Sequence, residues 1–221
     1  MVVGEKKPDI IAIVETWLNN NISDEEIALD NYTLARRDRR MDIKTRGGGV
    51  MVYVNNRLKF FEMSGDIYSN FDAMWIKNFE DKKLLLKLGL FYRPPDGTES
   101  ELHLLLNELK RSKGEDTVIL GDFNFRDIDW THSTSSTYGK LFLDEINSLA
   151  LVQCVKKQTR GNSVLDLIFV YNRLIVCKID YWTPIAKSDH NTLWLKLDVS
   201  SSTYKKIIKG YRYEKADYRV L

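Results

Sequence analysis

About ten short apolar runs recur between Asp9 and Asp198, each closed by charged or turn-forming residues, and this spacing commits most of the chain to strands. The runs are Asp9 to Glu15, Tyr32 to Arg37, Val50 to Val54, Leu58 to Met63, Phe71 to Lys77, Leu84 to Tyr92, Thr117 to Asp122, Val164 to Tyr171, Leu174 to Asp180 and Thr192 to Asp198. Two segments are spaced as helices instead. Leu102, Leu105, Leu106 and Leu109 form an i, i+3, i+4, i+7 stripe, and Thr98 with Glu101 reads as the capping box that starts it. Tyr138, Leu141, Phe142, Glu145, Ile146 and Leu149 give a second helix, entered through Ser135 and Ser136. The expectation is one α/β domain with helices packed on sheets.

A chain of 221 residues, 43% apolar and 29% charged, buries a core without disulfides or metals to hold it. No apolar run approaches the roughly 18 residues that span a bilayer, and Met1 to Pro8 carries Glu5, Lys6 and Lys7 with no signal-peptide centre behind it. An intracellular protein with no membrane partner is expected. Cys154 and Cys177 stand apart in apolar-alternating runs, so each reads as a buried structural thiol. The near balance of 33 Lys and Arg against 31 Asp and Glu hides two basic clusters. Arg36, Arg37, Arg39, Arg40, Lys44 and Arg46 face only Asp38 and Asp42, and a tail from Lys205 to Arg219 repeats the imbalance. Solvated loop charge is the plain account, and a polyanion surface the alternative if acidic catalytic groups lie between the clusters.

Such groups are present. A carboxylate closing an apolar strand must be paired, hydrogen-bonded or bound to a metal. Ile10 to Val14 ends in Glu15, Val118 to Leu120 leads through Gly121 into Asp122, Phe123 and Asn124, Asp166 stands inside Val164 to Val170, and Ser188, Asp189 and His190 precede the last strand. If these strand ends converge, Glu15 and Asp189 are hard oxygen ligands suited to magnesium, which takes one or two carboxylates and completes its shell with water and phosphate. Asp122 can accept a proton from an attacking water, and Asn124 can donate to a phosphoryl oxygen. Asp166 beside His190 would fix the imidazole and favour its protonated form. Together these parts fit metal-assisted hydrolysis of a phosphate ester.

The order of these motifs, with Tyr92 in Phe91-Tyr92-Arg93-Pro94-Pro95, resembles the endonuclease/exonuclease/phosphatase superfamily from about Pro8 to Asp198. Within it, Glu15-Thr16-Trp17-Leu18, the arginines leading into Gly47-Gly48-Gly49-Val50, Ile128-Asp129-Trp130 and Thr159-Arg160 before Leu165-Asp166-Leu167 are most similar to endonucleases of non-LTR (LINE-type) retrotransposons, in particular chicken-repeat-like and jockey-like elements. The resemblance implies a four-layer fold, a two-sheet mixed β-sandwich flanked by helices. It implies Glu15 as the main ligand of Mg2+ or Mn2+, helped by Asp189, and Asp122 acting on the water with Asn124 alongside at the phosphate. Asp166 would orient His190, while His190 and Tyr92 would contact the scissile phosphate. Duplex DNA would be the substrate, gripped along its backbone by Arg36, Arg37, Arg39, Arg40 and Lys44, in the nucleus.

The resemblance also divides the chain into an endonuclease-like domain at 1–198 and a basic tail at 199–221 that would lead toward a reverse transcriptase domain in the parent protein. About eight residues precede the Asp9 to Glu15 strand, so a further amino-terminal strand and helix of the superfamily are expected to be missing. Two other readings compete with DNA nicking: a phosphoesterase of the same superfamily acting on a lipid or inositol phosphate, and a truncated, catalytically impaired DNA-binding remnant. The Gly47 to Gly49 triplet lacks the Lys-Ser/Thr of a phosphate-cradling loop and reads as a turn into a strand. His103 and His132 read as structural or solvated.

Overall fold

The computed structural model describes residues 7–39, 47–63, 72–80, 83–111, 114 and 116–199. Arg40, Lys44 and the tail from position 200 lie outside the described residues. The expected strands form as β1 (Ile10–Val14), β2 (Tyr32–Arg37), β3 (Val50–Asn55), β4 (Lys59–Glu62), β5 (Ala73–Glu80), β6 (Lys83–Tyr92), β7 (Thr117–Asp122), β9 (Asp166–Val170), β10 (Val176–Trp182) and β11 (Thr192–Leu197). The two-residue β8 (Val152–Gln153) is too short for an apolar run of its own to announce it. Helix α1 (Glu99–Lys110) starts with the anticipated capping box, the Thr98 hydroxyl accepting from the Glu101 N–H while the Glu101 carboxylate accepts from the Thr98 N–H. Helix α2 (Thr137–Ser148) begins after Ser136, where the Asp127 carboxylate rather than the Ser136 side chain does the fastening, accepting from the Ser135 and Ser136 hydroxyls at 2.6 and 2.9 Å.

Six strands make one mixed sheet in the order β4-β5-β6-β7-β9-β8, parallel only at β6–β7. Its strands alternate between two cores. Trp75, Phe91, Ile119, Leu167 and Phe169 point to the side covered by α1 and α2, where they pack on Leu102, Leu105, Leu109 and Phe142. Met74, Leu90, Val118, Ile168 and Val170 point the other way, onto Val50, Val52 and Val54 of β3 and the inward residues of β1, β10 and β11. The layer facing the large sheet is itself two sheets, β1-β3-β2 and β10-β11, where the sandwich reading implies one. Among the described residues β1 pairs only with β3 and β11 only with β10, so no ladder joins them. Cys154 is buried as expected, whereas Cys177 is exposed, because the alternation of β10 turns it away from the core that takes Val176.

Candidate active site

Three strand ends of the large sheet set one line of polar side chains. Tyr92 of β6 is in register with Asp122 of β7, and Asp122 lies opposite Asp166 of β9. All three continue the side of their strands that faces the smaller sheets, since Leu90, Val118 and Ile168 of the same parity lie in that core. Gly121 makes the approach possible. A Cβ there would fall 1.8 Å from the Phe91 carbonyl oxygen, and its φ of +148° is one that side-chain-bearing residues rarely take.

After β7 the chain turns at once. The Asn124 N–H donates to Asp122 Oδ1 at 3.1 Å, and its side-chain Nδ2 donates to Asp122 Oδ2 at 2.8 Å and to the Arg93 carbonyl at 2.9 Å. Both amide hydrogens are thereby committed. The residue reading gave Asn124 a donor for phosphate; the geometry leaves its Oδ1 instead, buried and without a hydrogen-bond partner among the described residues. Asn124 has φ +51° and Glu15 φ +53°, left-handed conformations that a side-chain-bearing residue holds only where its surroundings fix it.

His190 crosses from the loop before β11 to the large sheet. Its Nδ1 is 2.8 Å from Asp166 Oδ2, and its Nε2 lies 4.0 Å from Asp122 Oδ2 and 3.9 Å from Asp189 Oδ1. Desolvation works against the imidazolium, but the Asp166 hydrogen bond and the surrounding carboxylates win, and the His190 pKa is raised. Burial, and then the charge of Asp166, push Asp122 up to about 7 against the partial relief given by His190. At about 7 the Asp122 carboxyl is poised near neutrality, where a base is most effective.

Glu15 enters from the other layer, one residue beyond β1. Its carboxylate accepts from the Tyr92 hydroxyl at Oε1 and from Trp17 Nε1 at Oε2, 3.4 Å away. Burial first, and the Glu15 bond second, raise the Tyr92 pKa, so the hydroxyl stays protonated as a donor. Asp189 is exposed and is held by Arg160, whose Nε and Nη2 both sit 2.7 Å from Oδ2; desolvation pushes its pKa up, but the Arg160 hydrogen bond and charge together outweigh it and lower the Asp189 pKa. Among the described residues no three acidic, His or Cys side chains gather closely enough to cage a metal ion. The donor chemistry still fits magnesium, which uses one or two carboxylates and keeps its waters: Glu15 and Asp189 are oxygen donors at the rim of this site, and Asn124 Oδ1 is a buried acceptor beside it.

Thr159 and Arg160 take roles at the site that the sequence did not assign them. Thr159 is fully buried and its hydroxyl accepts from the N–H groups of Leu165 and Asp166, each at 3.0 Å, while its carbonyl accepts from the Asn191 N–H at 2.7 Å. It thus fixes the backbone beside both Asp166 and His190. Arg160 follows it in a tight turn bridged to Ser163. Their one sequence signal is their place before Leu165-Asp166-Leu167, because turns carry no periodicity. His103 and His132 are solvated, each beside an acid on its own segment, Glu99 and Asp129.

The arginine cluster has a different character from an open basic loop. Arg36 and Arg37 belong to β2, and Arg36 pairs with Asp24 at 2.9 Å, Arg37 with Glu62 at 3.0 Å and Arg39 with Asp72. The described part of the cluster is neutralised within the protein.

Residues 2–190 match the Endonuclease/Exonuclease/phosphatase family. No curated protein matches the chain. Among solved structures, the endonuclease domain of TRAS1, a telomere-specific non-LTR retrotransposon, superposes with a TM-score of 0.68 at 14% identity, over 89% of this chain and 88% of that one. An endonuclease/exonuclease/phosphatase family protein from Leptotrichia buccalis C-1013-b gives 0.56 at 18% identity, over 89% and 90%. A functionally unknown conserved protein from Enterococcus faecalis V583 gives 0.55 at 13%, over 89% and 88%. At these identities the likeness is one of fold: sheets packed face to face with few helices.

Proposed function

From the premise that this chain belongs to the endonuclease/exonuclease/phosphatase family, we propose that it is a metal-dependent endonuclease that hydrolyses one phosphodiester of duplex DNA. The observation that carries the reading is the His190 bridge, an imidazole fixed by Asp166 at 2.8 Å with Nε2 facing both Asp122 and Asp189 at 4.0 and 3.9 Å. Asp122 takes a proton from the attacking water, for which a pKa of about 7 suits it. Asn124 holds Asp122 by two hydrogen bonds and offers Oδ1 to a hydrogen of that water. His190, kept protonated by Asp166, donates from Nε2 to the phosphoryl oxygen on which charge develops. Tyr92 directs its hydroxyl at Glu15 and thereby sets the carboxylate's rotamer. Glu15 with Asp189 would hold magnesium or manganese, which when bound polarises the phosphoryl group.

The superposition on a retrotransposon endonuclease supports DNA as the substrate, with the nick serving target-primed reverse transcription by a reverse transcriptase domain of the parent protein, in the nucleus. Arg37 and Glu62 are both partly exposed, so DNA phosphate can exchange for the carboxylate there; Arg40 and Lys44 remain part of the proposed backbone grip. Nicking of supercoiled plasmid, with magnesium and with excess EDTA, tests the proposal beside a soluble phosphoinositide assay. Magnesium-dependent nicking that Glu15→Ala abolishes is expected. Phosphoinositide hydrolysis without nicking would move the chain to another substrate of its family, and nicking that persists in EDTA would overturn the metal assignment.

A further inference from the structure

Arg39 does not behave as a surface cation. Its side chain is 11% exposed and its guanidinium clamps Asp72, itself 10% exposed, through Nε at 2.8 Å and through Nη2. The guanidinium carbon lies 5.4 Å from the centre of the Tyr92 ring. Gly48 is also close by: a Cβ there would fall 2.2 Å from that same carbon, so a side chain would displace the guanidinium, and its φ of +77° is one that side-chain-bearing residues rarely take. The glycine turn is in turn tied to the site, since the Trp17 N–H donates to the Gly48 carbonyl at 3.0 Å and Trp17 Nε1 donates to Glu15. Asp72 also accepts, through its backbone carbonyl, from the Tyr92 N–H at 2.8 Å. Arg39 therefore lies close both to the glycine turn that binds Trp17 and to the ring whose hydroxyl holds Glu15.

A buried ion pair of this kind contributes little net stability, because desolvating two charges offsets most of their attraction. What it supplies is position. The flat guanidinium fixes the Tyr92 ring from one side and adds a positive potential beside two site residues, Tyr92 and Glu15, that will sit against a polyanion. We propose that Arg39 is a positioning residue for the Tyr92–Glu15 pair, acting through the Tyr92 hydroxyl and not by gripping the DNA backbone. The proposal deepens the phosphodiesterase reading and its kinetic arm rests on that reading.

A double-variant cycle tests it, using plasmid nicking by the full chain with kcat and KM resolved. Arg39→Met is expected to lower kcat about tenfold or more with KM within about twofold, since small misplacements of a reacting group cost rate and not affinity. In a Tyr92→Phe background, which keeps the ring and removes the hydroxyl, the same change should cost less than about twofold, as expected for groups acting through one contact. The salt slope of DNA binding should not change; a direct phosphate contact would take about 0.9 from it. Additive losses, a flattened slope, or a defect confined to KM would each overturn the proposal. Should Arg39→Met melt below the assay temperature, Arg39→Lys carries the test: a lowered kcat at the parent KM supports positioning, and the parent kcat sinks it. Tyr92 ring resonances in tyrosine-labelled protein, assigned through Tyr92→Phe, separate the two failures. If the parent chain cleaves no DNA, the function proposal fails alone, and Arg39 stands or falls on whether Arg39→Lys shifts the Tyr92 signals.

Discussion

Strands β7 and β9 are mostly buried and meet at Asp122 and Asp166, whereas β1, β10 and β11, next to which Glu15, Asp189 and His190 lie, are half-exposed along most of their length. The large sheet is flanked by aromatic packing: Phe123 touches Phe91, Phe142 and Phe169 at 5.4 to 6.1 Å between centroids. The opposing layer is two small sheets with separate edges. The proposed base and its neighbour Asp166 thus stand on well-buried strands, and the proposed oxygen ligands and His190 beside strands with fewer buried neighbours. At the site the two layers meet through His190 with Asp166 and Glu15 with Tyr92. In the proposed reading the base sits on the better-buried strands, and Glu15 and Asp189 lie on the more exposed side.

The comparison breaks most visibly at the base. Asp122→Ala and His190→Ala are each expected to lower the nicking rate by about 10²-fold or more in single-turnover assays with magnesium. A smaller loss at Asp122 than at Asp189 would reverse the assignment of the better-buried strands to proton transfer. Next comes stability, measured by urea unfolding. Phe169→Ala should cost about 3–5 kcal/mol, as for a fully buried aromatic. Leu193→Ala, in the half-buried β11, should cost about 1–2 kcal/mol for the smaller apolar area it takes out of water. Equal costs would mean that the two layers are equally well packed.

A pH profile sharpens the contrast further. As the proposed base, Asp122 would act only when ionised, and burial holds its pKa at about 7, so the nicking rate should climb with pH through that value. His190 acts only when protonated and its pKa is raised, so the rate should fall again on the alkaline side. A rate already flat from pH 5 upward would show that Asp122 titrates as an ordinary carboxylate. The smallest effect is expected at the exposed rim. Arg160→Ala removes a partly solvated ion pair and should change stability by no more than about 1 kcal/mol, while freeing Asp189 to move. Calorimetric magnesium titration of this variant would register the freed Asp189 as an altered affinity, and an unchanged isotherm would argue against Asp189 as a ligand.

Local pattern carried much of this. The apolar runs Ile10 to Val14 and Val118 to Leu120, the leucine stripe of α1 and its Thr98–Glu101 box depend on neighbours a few residues away, so they were legible in order along the chain. So was the oddity of four carboxylates at strand ends, because burying a charge is costly wherever it falls. What the order of residues leaves open is which ends meet. Tyr92, Asp122 and Asp166 share a level only because β6, β7 and β9 pair in one register, and a slip of one residue would turn Asp122 to the helical side. The arginines show the limit most sharply. Arg36, Arg37 and Arg39 read as a basic cluster because their neighbours in sequence are basic, while their partners Asp24, Glu62 and Asp72 stand 12 or more positions away. Sequence sets each side chain's charge; only the folded chain decides which opposite charge it meets, because electrostatic attraction depends on distance in space.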